Sequence, residues 1–166
     1  MTKYIIAIIG AGAILTLAFV FGSPKSTEEV VVPENNSAAS VLSLPEKSFD
    51  FGKISMKEGT VSHIFTISNT ADSAVEIKNI STSCMCTEAF LINGEKREGP
   101  FGMPGHGGGA TRVSAQIPAG ESRDIEAVFD PAAHGPAGVG RISRAIFIED
   151  KEGRVETLEI SATVTP

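Results

Sequence analysis

Short segments in which apolar and polar residues alternate recur from Ser48 to the end of the chain. An alternation with a period of two is typical of a β-strand that buries one face. In one of these segments the residues of the apolar face are Val61, His63, Phe65 and Ile67. The whole pattern predicts about seven or eight short strands.

Turn-forming residues separate these segments, for example in the Asn69–Ser73 and Asp150–Gly153 stretches. Ile80 breaks the alternation of its strand, which predicts a β-bulge near Asn79. No alternation of strands with helices is present, so the sequence excludes a parallel α/β fold. We therefore expect an all-β fold over residues 44–166, an immunoglobulin-like antiparallel β-sandwich.

The stretch from Glu88 to Thr111 has a different character. A short apolar piece ends at the turn Asn93-Gly94, and the residues that follow are rich in glycine and proline. Long segments of this composition are usually functional loops or disordered. The sequence predicts a long Gly/Pro-rich loop inserted in the sandwich at residues 88–111.

An uncharged apolar run of 18 residues, Tyr4 to Phe21, lies near the N-terminus. As a helix it would span about 27 Å, enough for the hydrocarbon core of a membrane. Lys3 and the α-amino group give this run a small positive flank, so we expect the N-terminus to stay in the cytoplasm. Residues 1–22 are then a signal anchor, which we favour, or a cleaved signal peptide.

Under either interpretation of the N-terminal run, we expect the remainder of the chain to be exported from the cytoplasm. Residues 23–43 mix serine, proline, glutamate and asparagine without a sustained period, which predicts a flexible linker. We expect the domain to be held at the membrane by the N-terminal helix, in the periplasm or on the cell surface. It would be secreted if the signal is cleaved.

The composition excludes several functions. The formal net charge is −6 and the basic residues are scattered, which argues against a nucleic-acid partner. The Gly107–Gly109 run lacks the lysine and the strand-to-helix junction of a phosphate-binding loop. No Ser-His-Asp set or carboxylate pair can be singled out. We expect a protein that is not an enzyme, and no small-molecule substrate is inferred.

Both cysteines of the chain, Cys84 and Cys86, flank Met85 at the end of a predicted strand. On a strand their Cα atoms would lie about 6.6 Å apart and their side chains on one face. A bridge between them is feasible but strained, and exported thiols tend to oxidise. Three interpretations stay open: structural residues or a structural disulfide, metal ligands, and a redox pair. The redox pair is least favoured because no Cys-x-x-Cys at a helix start is present.

Four further residues could complete a metal site with the two cysteines. His63 lies on the strand that we expect to pair with the cysteine-bearing strand in a hairpin. Met103 and His106 lie in the predicted loop, and His134 precedes a later strand. Thiolate, thioether and imidazole suit Cu(I), with Zn second. The alternative is that His63 is a strand residue with a satisfied hydrogen bond and the others are plain loop residues.

Three stretches in this order resemble a known bacterial family: Phe49 to Thr70 (FDFGKISMKEGTVSHIFTISNT), Glu76 to Thr87 (EIKNISTSCMCT) and Ile117 to Glu149. The family is the exported domain of unknown function 1573, which is similar to the ASPM-SPD-2-Hydin and major-sperm-protein group of immunoglobulin-like modules. The resemblance covers most of Ser48 to Pro166 and implies the fold without an established activity. The chain differs from the family pattern at Met85, where glycine is usual, and in the added segment 88–111.

Two functions follow as expectations. The first is a membrane-tethered, extracytoplasmic immunoglobulin-like binding domain that takes up copper or another soft metal through the Cys-Met-Cys motif. The alternative is a scaffold or protein-interaction module of the cell envelope, with a protein partner, no metal and structural cysteines.

Overall fold

Two β-sheets pack face to face in the computed structural model, which describes residues 41–106 and 110–166. Ten strands lie within these residues, two more than the upper count expected from the sequence. They are β1 Leu42–Ser43, β2 Ser48–Ser55, β3 Val61–Asn69, β4 Val75–Thr82, β5 Thr87–Asn93, β6 Lys96–Phe101, β7 Arg112–Ile117, β8 Ser122–Phe129, β9 Gly140–Asp150 and β10 Val155–Thr165.

One sheet has the strand order β1-β3-β8-β5-β6 and the other β2-β10-β9-β4-β7. Neighbouring strands are antiparallel, apart from the parallel pair of β2 and β10. The predicted all-β sandwich is confirmed. The predicted bulge is confirmed as well, because the register of β4 shifts between Ile77 and Asn79 against both of its neighbours.

The core lies between the two sheets and is built from the apolar faces that the alternation predicts. Burying these side chains is the main favourable term in folding. Fully buried examples are Phe65 and Ile67 on β3, Ile125 on β8 and Leu158 on β10. The core cluster also includes Cys86, so the cysteine motif is attached to the packed interior.

The expectation that β3 and β4 form a hairpin is wrong. These strands lie in different sheets, and the chain crosses between them after Asn69. The buried Asn69 amide donates to the carbonyls of Ser73, Ile117 and Pro118 at 2.8, 2.8 and 3.2 Å. Its oxygen accepts the N–H of Ala71 at 2.9 Å. These bonds hold a crossing that takes β4, the strand leading to the cysteines, into the sheet opposite that of His63.

Asn69→Ala is expected to lower the free energy of unfolding by roughly 2–4 kcal/mol, because one buried and three partly buried backbone groups would lose their partner. Urea unfolding of the full chain in mild detergent, followed by far-ultraviolet circular dichroism, measures this. Thr70→Ala is the control, since its hydroxyl makes an exposed bond to the Val41 carbonyl. An equal loss in both variants would contradict the role given to Asn69.

The predicted loop at residues 88–111 is wrong over its first half. β5 and β6 form a hairpin around the turn at Asn93-Gly94, and Phe101 at the end of β6 is buried. Pro100 obscured this strand in the sequence, but β6 is an edge strand, where a missing N–H donor is tolerated.

Residues 1–40 lie outside the described part of the chain, so the predicted membrane helix and most of the predicted linker do too. Among the described residues, no helix has the length and apolar character needed to cross a membrane. Leu42–Ser43, at the end of the segment assigned to the linker, form β1 and pair with β3.

Candidate functional site

The two cysteines lie at a corner where the chain leaves one sheet at the end of β4 and enters the other at β5. The Thr87 N–H donates to the Cys84 carbonyl at 3.1 Å, which closes a tight turn around Met85 and Cys86. The buried Thr82 hydroxyl lies 3.0 Å from the carbonyls of both Cys84 and Thr87. The motif is therefore a turn between strands and not the strand that the sequence predicted.

This turn brings the cysteine Cα atoms to 5.3 Å and joins their sulfur atoms in a disulfide. The two residues differ in exposure. Cys86 is 3% exposed and belongs to the core, Cys84 is half-buried, and Met85 between them is 55% exposed. Cys86 is thus the more deeply buried residue of the pair.

His134 reaches the bridge because its loop is anchored next to Cys86. The Asp130 N–H donates to the Cys86 carbonyl at 2.9 Å, which extends the pairing of β8 with β5 by one step. The Asp130 carboxylate then accepts the N–H of Ala132 at 2.8 Å and turns the loop. His134 is exposed, and its Nε2 lies 3.1 Å from the sulfur of Cys84.

Arg144 of β9 contacts the other sulfur. Ser83 and Ala145 exchange two hydrogen bonds of 2.9 Å, which fasten the corner to β9. The Nε–H of Arg144 donates to the sulfur of Cys86 at 3.2 Å, and its Nη1 donates to the Ser143 carbonyl at 2.7 Å. Within the described residues, none of the ion pairs involves Arg144, so its charge is directed at the bridge.

The sequence analysis did not identify Arg144, although the alternation of β9 contains a signal for it. Ile142, Ile146 and Ile148 are buried on one face of the strand, and Arg144 occupies the same parity between them. A charged residue at an inward position needs a polar partner. That position could have marked Arg144 as a residue facing a site.

A groove of about 370 Å³ adjoins the corner and is lined by His134, Arg141 and Arg144 together with neutral residues. Its lining contains no carboxylate. The chain as a whole carries a net charge of −6. The groove is therefore a local cationic feature on an acidic protein, placed beside the cysteine pair.

The other predicted ligands lie in different surroundings. His63 stacks on Phe49 with ring centroids 3.6 Å apart, and its Nε2 pairs with the Glu46 carboxylate at 2.8 Å. Met103 and His106 lie in the turn that follows β6, where the His106 N–H donates to the Met103 carbonyl at 3.3 Å.

One group of three potential ligands of the His, Cys, Asp and Glu types is found in the described part of the chain. It consists of Cys84, Cys86 and His134, whose ligand atoms all lie within 4.8 Å of one another. His63 and His106 do not belong to it. Of the predicted site residues, the fold therefore brings together the two cysteines and the histidine of the Asp130–Gly140 loop.

A family model described as protein of unknown function (DUF1573) matches residues 42–96. The resemblance found in the sequence is confirmed over this segment, which contains both cysteines. Neither His134 nor Arg144 lies within the match. No curated protein matches the sequence.

Solved structures share the fold at low sequence identity. A protein of unknown function from Porphyromonas gingivalis W83 matches with a TM-score of 0.53 and 15% identity, covering 78% of this chain and 51% of that protein. The chain thus spans about half the length of that protein. The ASH/PapD-like domain 7 of human CEP192 matches with a TM-score of 0.48 and 12% identity, covering 86% of this chain and 98% of that domain.

Proposed function

We propose that this chain is a membrane-tethered, extracytoplasmic immunoglobulin-like domain that binds one soft metal ion, Cu(I) before Zn, when its cysteine bridge is reduced. The ligands are the sulfurs of Cys84 and Cys86 and the Nε2 of His134. The observation that carries the proposal is the clustering of these three atoms within 4.8 Å. The domain acts by binding and is not an enzyme.

The donor set supports Cu(I). Thiolates are soft ligands that select Cu(I), and imidazole binds it as well. A structural zinc site usually has four protein ligands, whereas this corner offers three. Cu(I) accepts low coordination numbers, so three donors suffice for it.

The charge count favours the same ion. Two thiolates, one Cu(I) and a neutral histidine sum to a single negative charge, which the guanidinium of Arg144 balances at the sulfur of Cys86. Zn²⁺ in the same ligands would leave the positive charge of Arg144 without a counterpart. Partners just outside the ligand shell commonly tune a metal site in this way.

The test is an anaerobic competition titration of the full-length chain in mild detergent against a Cu(I) chelator. The reduced protein should take up one Cu(I) per chain, and the oxidised protein should not compete. X-ray absorption of the loaded protein should show two sulfur ligands and one nitrogen ligand. Failure of the reduced chain to compete, with both thiols shown to be free, would overturn the proposal.

The second candidate function is a protein-interaction module of the cell envelope with structural cysteines. It is supported by β7, an edge strand that pairs only with β4 among the described residues. An extended segment of a partner could add to this edge through backbone hydrogen bonds. This function predicts that Cys84→Ser/Cys86→Ser leaves partner binding unchanged.

A further inference from the structure

The two sulfurs of the bridge have unlike surroundings. The sulfur of Cys84 belongs to a half-buried residue and contacts the exposed imidazole of His134. The sulfur of Cys86 is in the core and accepts the N–H of a charged guanidinium at 3.2 Å. Access decides which sulfur of a disulfide is attacked, and the stability of the departing thiolate decides how readily it leaves.

The geometry points to a directed thiol–disulfide exchange site, in which an external thiol attacks Cys84 and Cys86 leaves as a thiolate held by Arg144. This activity does not depend on metal binding. It is also a stoichiometric reaction of one bond and requires no turnover, so it is compatible with a binding domain.

The exchange is balanced in two steps. The incoming thiol gives up its proton to solvent, its sulfur bonds to the sulfur of Cys84, and the Cys84–Cys86 bond breaks, leaving Cys86 as the thiolate. A second external thiol then attacks the mixed disulfide and releases Cys84. Two external thiols are oxidised to one disulfide, and the Cys84–Cys86 pair gains two electrons and two protons.

The leaving role of Cys86 rests on the difference between the hydrogen bonds that reach the two sulfurs. The sulfur of Cys84 is approached by the backbone Cys86 N–H at 3.4 Å and by Nε2 of the exposed His134 at 3.1 Å, an imidazole that is a charged donor only when both ring nitrogens are protonated. The sulfur of Cys86 receives a guanidinium, a donor that always carries its charge, at 3.2 Å, with the Thr87 hydroxyl 3.8 Å away. Charged donors form the stronger bonds to an anion, so negative charge is better stabilised on Cys86.

The groove beside the corner defines the chemical class of the incoming thiol. It carries Arg141, Arg144 and His134 and no carboxylate, so it attracts a thiol that bears negative charge. Glutathione has this character and is the probe for the test. A neutral thiol such as 2-mercaptoethanol lacks this attraction and reports the chemistry of the bridge alone.

The experiment measures reduction of the bridge in the metal-free, full-length chain with a chelator present, so failure of copper binding would not affect it. Arg144→Gln is expected to slow reduction about tenfold with both thiols, through loss of leaving-group stabilisation. Arg141→Gln should slow reduction by glutathione in a salt-dependent manner. Arg97→Gln is the matched control, because Arg97 pairs with Glu126 and does not line the groove, and it should leave the rates with both thiols within about twofold. Arg144→Lys keeps the positive charge and should retain most of the rate. This variant distinguishes loss of charge from misfolding as the cause of slower reduction in Arg144→Gln.

Acid quenching at early times, followed by alkylation and mass spectrometry, locates the mixed disulfide. We expect glutathione on Cys84 and the alkyl group on Cys86. Glutathione on Cys86 would overturn the direction of attack. An Arg144→Gln variant that reacts with 2-mercaptoethanol at the wild-type rate would overturn the role of the guanidinium.

Discussion

Replacing both Cys84 and Cys86 with serine should weaken Cu(I) binding by the reduced chain roughly a thousandfold or more. A residue that merely supports a metal ligand is commonly worth 10–100-fold in affinity, and each cysteine would be a direct ligand. The serine hydroxyls that replace them are hard, neutral donors that Cu(I) disfavours. His134 would then be the one ligand of the group left. The measurement is the chelator competition titration, run on both proteins under the same anaerobic conditions.

Single replacements should weaken Cu(I) binding by different amounts, according to the role of each residue. His134→Asn should weaken Cu(I) binding by about a hundredfold or more, and Arg144→Gln by about tenfold, because the first is a ligand and the second supports a ligand. His63→Asn is the matched control, since its imidazole is already engaged by Glu46 and Phe49. A double-serine variant that competes as well as the wild type would place the metal elsewhere and end the assignment to the Cys-Met-Cys corner.

The alternation of apolar and polar residues predicted most of the strands, because a strand that buries one face shows this pattern. A break in the alternation indicates a shift of register between neighbouring strands, which is why the bulge beside Asn79 could be predicted. A turn sequence, however, does not state whether the next strand continues in the same sheet or crosses to the other. After Asn69 the chain crosses to the other sheet. Hydrogen bonds from the Asn69 side chain to the carbonyls of Ile117 and Pro118, which are 48 and 49 residues away along the chain, hold this crossing.

The candidate site was predictable only in part for the same reason. The short spacing of Cys84 and Cys86 is a local signal that needs no fold. His134 meets them because β8 runs beside β5, and Arg144 meets them because Ser83 is fastened to β9. Both are contacts across long sequence separations. The sequence could name His134 as a candidate ligand without placing it beside the cysteines, and the inward parity of Arg144 was the signal for that residue.

Phe101→Ala is expected to lower the free energy of unfolding by about 3–5 kcal/mol, the usual cost of truncating a buried phenylalanine. Phe101 is 1% exposed, and its backbone pairs with Ala89 of β5. This places the end of β6 in the core, although the surrounding sequence has the composition of a loop. The chain has no tryptophan, so urea unfolding is best followed by far-ultraviolet circular dichroism.

Ile64→Ala is the control for this variant, because Ile64 is also a large apolar residue on a strand but is 52% exposed. Its replacement should change the free energy of unfolding by less than about 1 kcal/mol. If residues 96–101 were instead a loosely attached loop, Phe101→Ala would fall within about 0.5 kcal/mol of the wild type. The added segment after the cysteine corner would then lie outside the sandwich. A large loss of stability would show that this segment is part of the core. The residue after Phe101, Gly102, accepts the N–H of Thr82 through its carbonyl, two residues before Cys84.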